Sequence, residues 1–98
     1  KDILSSTSTY FDIPIDKIIS NSRSRSISYP RHLAIFLSRK LCGTAYSEIA
    51  YLFSNRHIST IIYSVKRIES MAECDPQARR DLSEIREMIY AAGSLRRD

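Results

Sequence analysis

Among its 98 residues the sequence has two glycines, three prolines, two cysteines and no tryptophan. So little glycine and proline excludes a collagen-like or low-complexity chain, and 43% hydrophobic residues against 27% charged exclude wholesale disorder. At this length one hydrophobic core, and so one domain over residues 1–98, is expected. No apolar run approaches the roughly 20 residues that cross a bilayer, and no hydrophobic stretch follows a basic start. A cytoplasmic protein is expected, and Lys1 in place of methionine points to a piece of a longer polypeptide or to a trimmed terminus. Cys42 and Cys74 lack metal or redox spacing, and His32 and His57 share no window with them or with each other. Buried or idle thiols and no bound metal follow. The chain also lacks a phosphate-cradling Gly-Lys loop, a His-Glu metal motif and a nucleophile–histidine constellation, so enzymatic activity has no support.

What is present is positive charge, and it is segregated. The net charge is +4, yet residues 1–20 hold two basic and three acidic side chains, and residues 68–98 hold five basic and seven acidic. Between Asn21 and Arg67 stand eight basic residues, Arg23, Arg25, Arg31, Arg39, Lys40, Arg56, Lys66 and Arg67, against Glu48 alone. Such a field attracts polyanions, nucleic acid or anionic lipid. Lipid is the weaker candidate, because a membrane-surface helix needs a broad exposed apolar face and here a core consumes the apolar residues.

Apolar spacing predicts about six helices and an all-α bundle. A first helix runs from Lys1 to Phe11 and breaks at Asp12-Ile-Pro-Ile; Asp16 caps a brief second helix through Ile19. Residues 21–28, rich in serine and arginine and without apolar periodicity, read as a basic loop. Tyr29-Pro30 then starts a third, central helix to about Leu41, with proline at its first position. Gly43 suits the left-handed cap that ends it, and Thr44 caps a helix from Ala45 to Phe53. After a short turn, Ile58, Ile61, Ile62, Val65 and Ile68 repeat at the helical period to about Met71; Asp75 and Pro76 open a last helix closed by Gly93. Two helices joined by so short a turn, about residues 45–71, outline a helix-turn-helix. Burial of Ile61, Val65 and Ile68 leaves Ser59, Thr60, Tyr63, Lys66 and Arg67 on the opposite face, where hydroxyls suit a groove and cations suit phosphates.

The run from Arg31 to Ile61, with Ser22-Arg-Ser-Arg-Ser before it and Val65-Lys-Arg-Ile-Glu69 after it, resembles the C-terminal DNA-binding domain of the bacterial DnaA family of replication initiators. The resemblance begins near Ile3 and covers about two thirds of the chain. It implies a helical bundle with a helix-turn-helix, double-stranded DNA as partner, a monomeric isolated domain and a nucleoid-associated location. It places Arg23 in the minor groove, a role suited to the negative potential of narrow A·T tracts, with Arg25 assisting. It places Arg31, His32 and Arg39 at the phosphate backbone, with Arg67 as a further cation. Ala45, Tyr46 and Ser47 fall where the family makes backbone and thymine contacts, and Arg56, Ser59 and Thr60 where it reads bases or backbone. ATP belongs to a separate upstream module in that family, so no cofactor is expected in this chain.

One stretch departs from the pattern. Where the family has Gly-Gly-Arg-Asp-His, then Ser or Thr, then Thr-Val, this chain has Ser54-Asn55-Arg56-His57-Ile58-Ser59-Thr60-Ile61. Aspartate can accept from a cytosine amino group, whereas histidine is chiefly a donor, so an altered base preference is expected. Ile58 either packs on a thymine methyl or is buried, since helical phase puts it near the apolar stripe. Competing readings are a DnaA-like transcription regulator and a helical interaction module with an acidic partner.

Overall fold

The computed structural model describes residues 2–93 and contains six helices: α1 (Asp2–Phe11), α2 (Ile15–Ile18), α3 (Arg25–Lys40), α4 (Tyr46–Leu52), α5 (Ile58–Cys74) and α6 (Pro76–Ala91). Lys1, expected to open the first helix, lies outside the described residues. Among these residues no helix is long and apolar enough to cross a membrane. α3 runs through the centre and packs on all five other helices. Its Leu33, Ala34 and Ile35 are fully buried, together with Ile61 and Ile68 of α5, Ile85 of α6, Ile49 of α4 and Ile18 of α2. Burying one such aliphatic side chain contributes roughly 1.5–3 kcal/mol, so the apolar stripes read from the sequence account for the assembly of the bundle.

The boundaries follow local chemistry, and several differ from expectation. α1 stops where Asp12 takes a left-handed φ of 57°. α2 is preceded by Pro14 as its cap residue rather than by Asp16, which lies in its first turn. α3 begins four residues before Tyr29, so residues 25–28 are helical and Pro30 sits in the second turn. There proline removes the donor that would meet the Ser26 carbonyl. Ser26 is exposed, and water can serve that carbonyl instead. Gly43 closes α3 as expected, with φ 65°, while the Thr44 amide donates to the Ser38 carbonyl over 3.1 Å. Thr44 does not cap α4; Ala45 stands at that position without a side-chain bond. α5 continues three residues past Met71, and Asp75 caps α6 by accepting from the Gln77 amide over 2.9 Å. Both cysteines are exposed and free, so the thiols are not core residues.

One buried polar corner ties three helices together. Asp81 of α6 is 3% exposed and accepts from the hydroxyls of Tyr10 on α1 (2.7 Å) and Tyr29 on α3 (2.6 Å) and from the Gln77 side-chain amide (2.9 Å). Hydrogen bonding to this carboxylate, then burial, pushes the Tyr10 hydroxyl up to about 12. Burial first, and Asp81 second, raise Tyr29 as well.

Candidate nucleic-acid interface

The short turn between α4 and α5 is built from two left-handed residues, Ser54 at φ 67° and Asn55 at φ 56°. The Arg56 amide returns to the Ala50 carbonyl over 2.9 Å, closing α4 and reversing the chain into α5. His57 caps α5: its Nδ1 accepts from the Ser59 amide at 3.3 Å and lies 2.9 Å from the Ser59 hydroxyl. Accepting an N–H requires an unprotonated Nδ1, so in the neutral ring the proton sits on Nε2. Ile61, Val65 and Ile68 face the core, while Ser59, Tyr63, Lys66 and Arg67 are exposed. Ile58 is 42% exposed, which removes the burial alternative for it. The leading edge of α5 is therefore open along its length.

The segment between α2 and α3 is ordered by its own serines. The Ser20 hydroxyl accepts from the Ser22 amide and the Ser22 hydroxyl from the Ser24 amide, each over 3.3 Å. Serine at every second position thus builds consecutive side-chain turns, and the interleaved Arg23 is left exposed. Arg25, at the start of α3, lies 5.6 Å over the Tyr29 ring, which anchors its guanidinium on the same tyrosine that meets Asp81.

Three side chains grip the backbone of this segment. Arg31, expected at the phosphates, turns inward instead: it is 5% exposed, with Nε donating to the Ile18 carbonyl (2.8 Å) and a terminal nitrogen to that of Ser22 (2.9 Å). Across from it Arg56 donates to the Ser20 carbonyl and the Ser54 hydroxyl to that of Ile19. Among the described residues Arg56 Nε is buried without a partner. Burial, and for Arg31 also the neighbouring Arg56 charge, lowers both guanidinium pKa values, although arginine stays charged at any ordinary pH.

The remaining predicted residues fall around this frame. His32 pairs Nδ1 with the Ser64 hydroxyl at 2.8 Å; burial, then the charges of Arg67, Arg31 and Arg56, lower its pKa to about 4. It is a neutral polar group, not a cation, near neutral pH. Arg39 stacks 4.2 Å over Tyr46 and donates to the Thr44 carbonyl over 3.1 Å, bracing the entry to α4. Ala45 and Ser47 are exposed beside it, and Thr60 is half-buried on α5. Arg25, His32, Tyr63 and Arg67 line a recess of about 200 Å³, and Lys66 joins Arg25, Tyr63 and Arg67 around an adjoining one. Cations from α3 and α5 thus share one surface. Lys40 pairs with Glu69 at 2.6 Å and is partly neutralised.

The family model described as the bacterial DnaA protein helix-turn-helix matches residues 1–68. The chain belongs to the bacterial DnaA helix-turn-helix family. It is similar to the chromosomal replication initiator protein DnaA of Jannaschia sp., with 33% identity over 92% of this chain and 19% of the relative. The corresponding proteins of Acinetobacter baylyi (31% identity, 86% of this chain, 18% of the relative) and Magnetococcus marinus (28%, 91% and 20%) are also similar. The chain spans about a fifth of the length of these curated relatives. Set against the DnaA pattern, the turn carries Ser54 and Asn55 in conformations that suit the family's two glycines. The bond that the Ser54 hydroxyl makes to Ile19 is one that glycine cannot make. No sequence spacing announces it, because the partners are 35 residues apart. Lys66, by contrast, was legible from helical phase, though it falls outside the residues the resemblance singles out.

Proposed function

We propose that this chain is the duplex DNA-binding part of a DnaA-type replication initiator, acting as a monomer and without a nucleotide cofactor. In this reading α5 enters the major groove and Arg23 the flanking minor groove. The observation that carries it is the gathering of Arg25, Lys66 and Arg67 around Tyr63, on the same surface as the exposed start of α5. Those cations position the domain on phosphates, and the residues at the beginning of α5 specify. The family names of the relatives supply the biological setting.

The altered base preference follows from how His57 is used. With Nδ1 occupied by its capping bond, the free Nε2 of the neutral ring is a donor, suited to purine N7 or guanine O6 and unsuited to a cytosine amino group. Ile58, exposed beside it, offers contact to a thymine methyl.

A titration with DnaA-box and scrambled duplexes at two salt concentrations, without ATP, tests the reading. Tight binding that weakens steeply with salt is expected, with box preference reduced at the position facing His57. Equal, feeble binding to both duplexes at low salt would contradict it and favour an acidic protein partner. Selection from random duplexes tests the base preference: recovery of the standard box at full strength would refute it.

A further inference from the structure

Four carbonyls in a five-residue stretch, those of Ile18, Ile19, Ser20 and Ser22, each receive a side-chain donor from outside the segment. Arg31 supplies two, and Ser54 and Arg56, from the helix-turn-helix turn, supply one each. The stretch leads directly into Arg23. Thus the turn that sets the start of α5 and the segment that presents Arg23 are joined by side-chain bonds spanning 35 and 36 residues of sequence. Arginine suits this place because its planar fork can meet two carbonyls at once, as Arg31 does. Carbonyls suit it too: they accept from the guanidinium without cancelling its charge, as a carboxylate would. Ser54 holds a left-handed φ of 67°, unfavourable for a residue with a Cβ, while it makes its contribution to this grip.

We propose that Arg31, Ser54 and Arg56 form a clasp that fixes the Arg23 segment relative to α5. They are positioning residues that act on DNA recognition through Arg23 rather than by touching DNA. The clasp sets the spacing and angle between a major-groove reader and a minor-groove reader. A loose segment would have to be ordered on each binding event, and that ordering would subtract from affinity. The proposal rests on the DNA-binding reading above.

The test uses the whole chain and two duplexes that share one box, one flanked by an A·T tract and the other by G·C pairs, whose guanine amino groups obstruct the minor groove. Arg31→Met, Arg56→Met and Ser54→Gly are each made alone and with Arg23→Ala. The wild-type chain is expected to prefer the A·T-flanked duplex about tenfold. Arg31→Met and Arg56→Met should bring that preference close to one, with less than a twofold further loss once Arg23 is already alanine. Ser54→Gly should lower it about threefold without lowering Tm, because glycine takes the left-handed conformation freely. Amide exchange at Ser22 and Ser24 of the free protein should speed up in all three variants. Should Arg31→Met fail to fold, the other two carry the test.

Losses of equal size with and without Arg23 would overturn the clasp and mark these side chains as direct DNA contacts. An unchanged A·T preference in Ser54→Gly and Arg56→Met would overturn it too. If the wild-type chain binds neither duplex, the functional reading fails and the clasp falls with it. If the wild type discriminates and the variants do so equally, only the clasp fails.

Discussion

Two corners of this small bundle bury polar groups, and they solve the problem in opposite ways. At the Asp81 corner one carboxylate is surrounded by neutral donors from Tyr10, Tyr29 and Gln77. At the Arg31–Arg56 corner two guanidinium groups donate to neutral carbonyls, Arg31 to two and Arg56 to one. Among the described residues neither corner pairs its charge with an opposite one. Each corner therefore keeps its sign: the positive field survives beside α5, while Asp81 is held by the hydroxyl of Tyr29, whose ring carries Arg25. A carboxylate among the arginines would satisfy them equally well and would erase the attraction for a polyanion. The Asp81 corner holds helices together, whereas the arginine corner holds a loop to a turn.

That contrast predicts separable losses. The largest is at Asp81: Asp81→Ala leaves three donors without their acceptor and should destabilise the fold by on the order of 3 kcal/mol. In thermal unfolding this would appear as a Tm lower by about 12 °C or more, while the protein that remains folded binds duplex DNA with unchanged affinity. A fall in the affinity of folded protein would erase the distinction between the corners. Next comes Arg23→Ala, which should leave Tm within error and weaken binding to an A·T-flanked duplex by about 1–3 kcal/mol.

A pH scan sharpens the boundary between the two regions, since His32 belongs to the arginine side. Its folded pKa, near 4, lies below the unfolded value of 6.5, so the unfolded chain takes up a proton first as pH falls. The stabilisation is complete above about pH 6.5 and is lost progressively as pH drops toward 4. Melting temperature should therefore decline from pH 7 to pH 5, and His32→Gln should flatten that decline. The smallest effect is expected at the exposed Lys40–Glu69 pair, where Lys40→Met should change stability by less than about 1 kcal/mol.

Much of the architecture was legible in the residues themselves. The apolar stripes of α3, α5 and α6 named the core, Gly43 marked the left-handed end of α3, and Asp75-Pro76 marked the start of α6. These signals are local, depending on neighbours one helical turn away. The misplaced start of α3 shows their limit: Pro30 carries the usual first-position signature, while the actual entry follows turns in which the Ser22 and Ser24 amides donate to the Ser20 and Ser22 hydroxyls. At the site, helical phase identified the open edge of α5. It could not reveal that Arg31 and Arg56 bend toward carbonyls of Ile18, Ser20 and Ser22, because those partners come from other elements and only tertiary packing brings them near.

On the reading proposed above, one cationic face, not positive charge in general, meets duplex DNA. The molecule supplies its own control, since α6 also exposes Arg79, Arg80 and Arg86, interspersed with Glu84 and Glu87. Mapping amide chemical shifts during titration with a box-containing duplex compares the two faces directly. Large changes are expected at Arg23, Arg25, Ser59, Tyr63, Lys66 and Arg67 and none beyond noise along α6. Changes centred on Arg79, Arg80 and Arg86, with the start of α5 undisturbed, would contradict it.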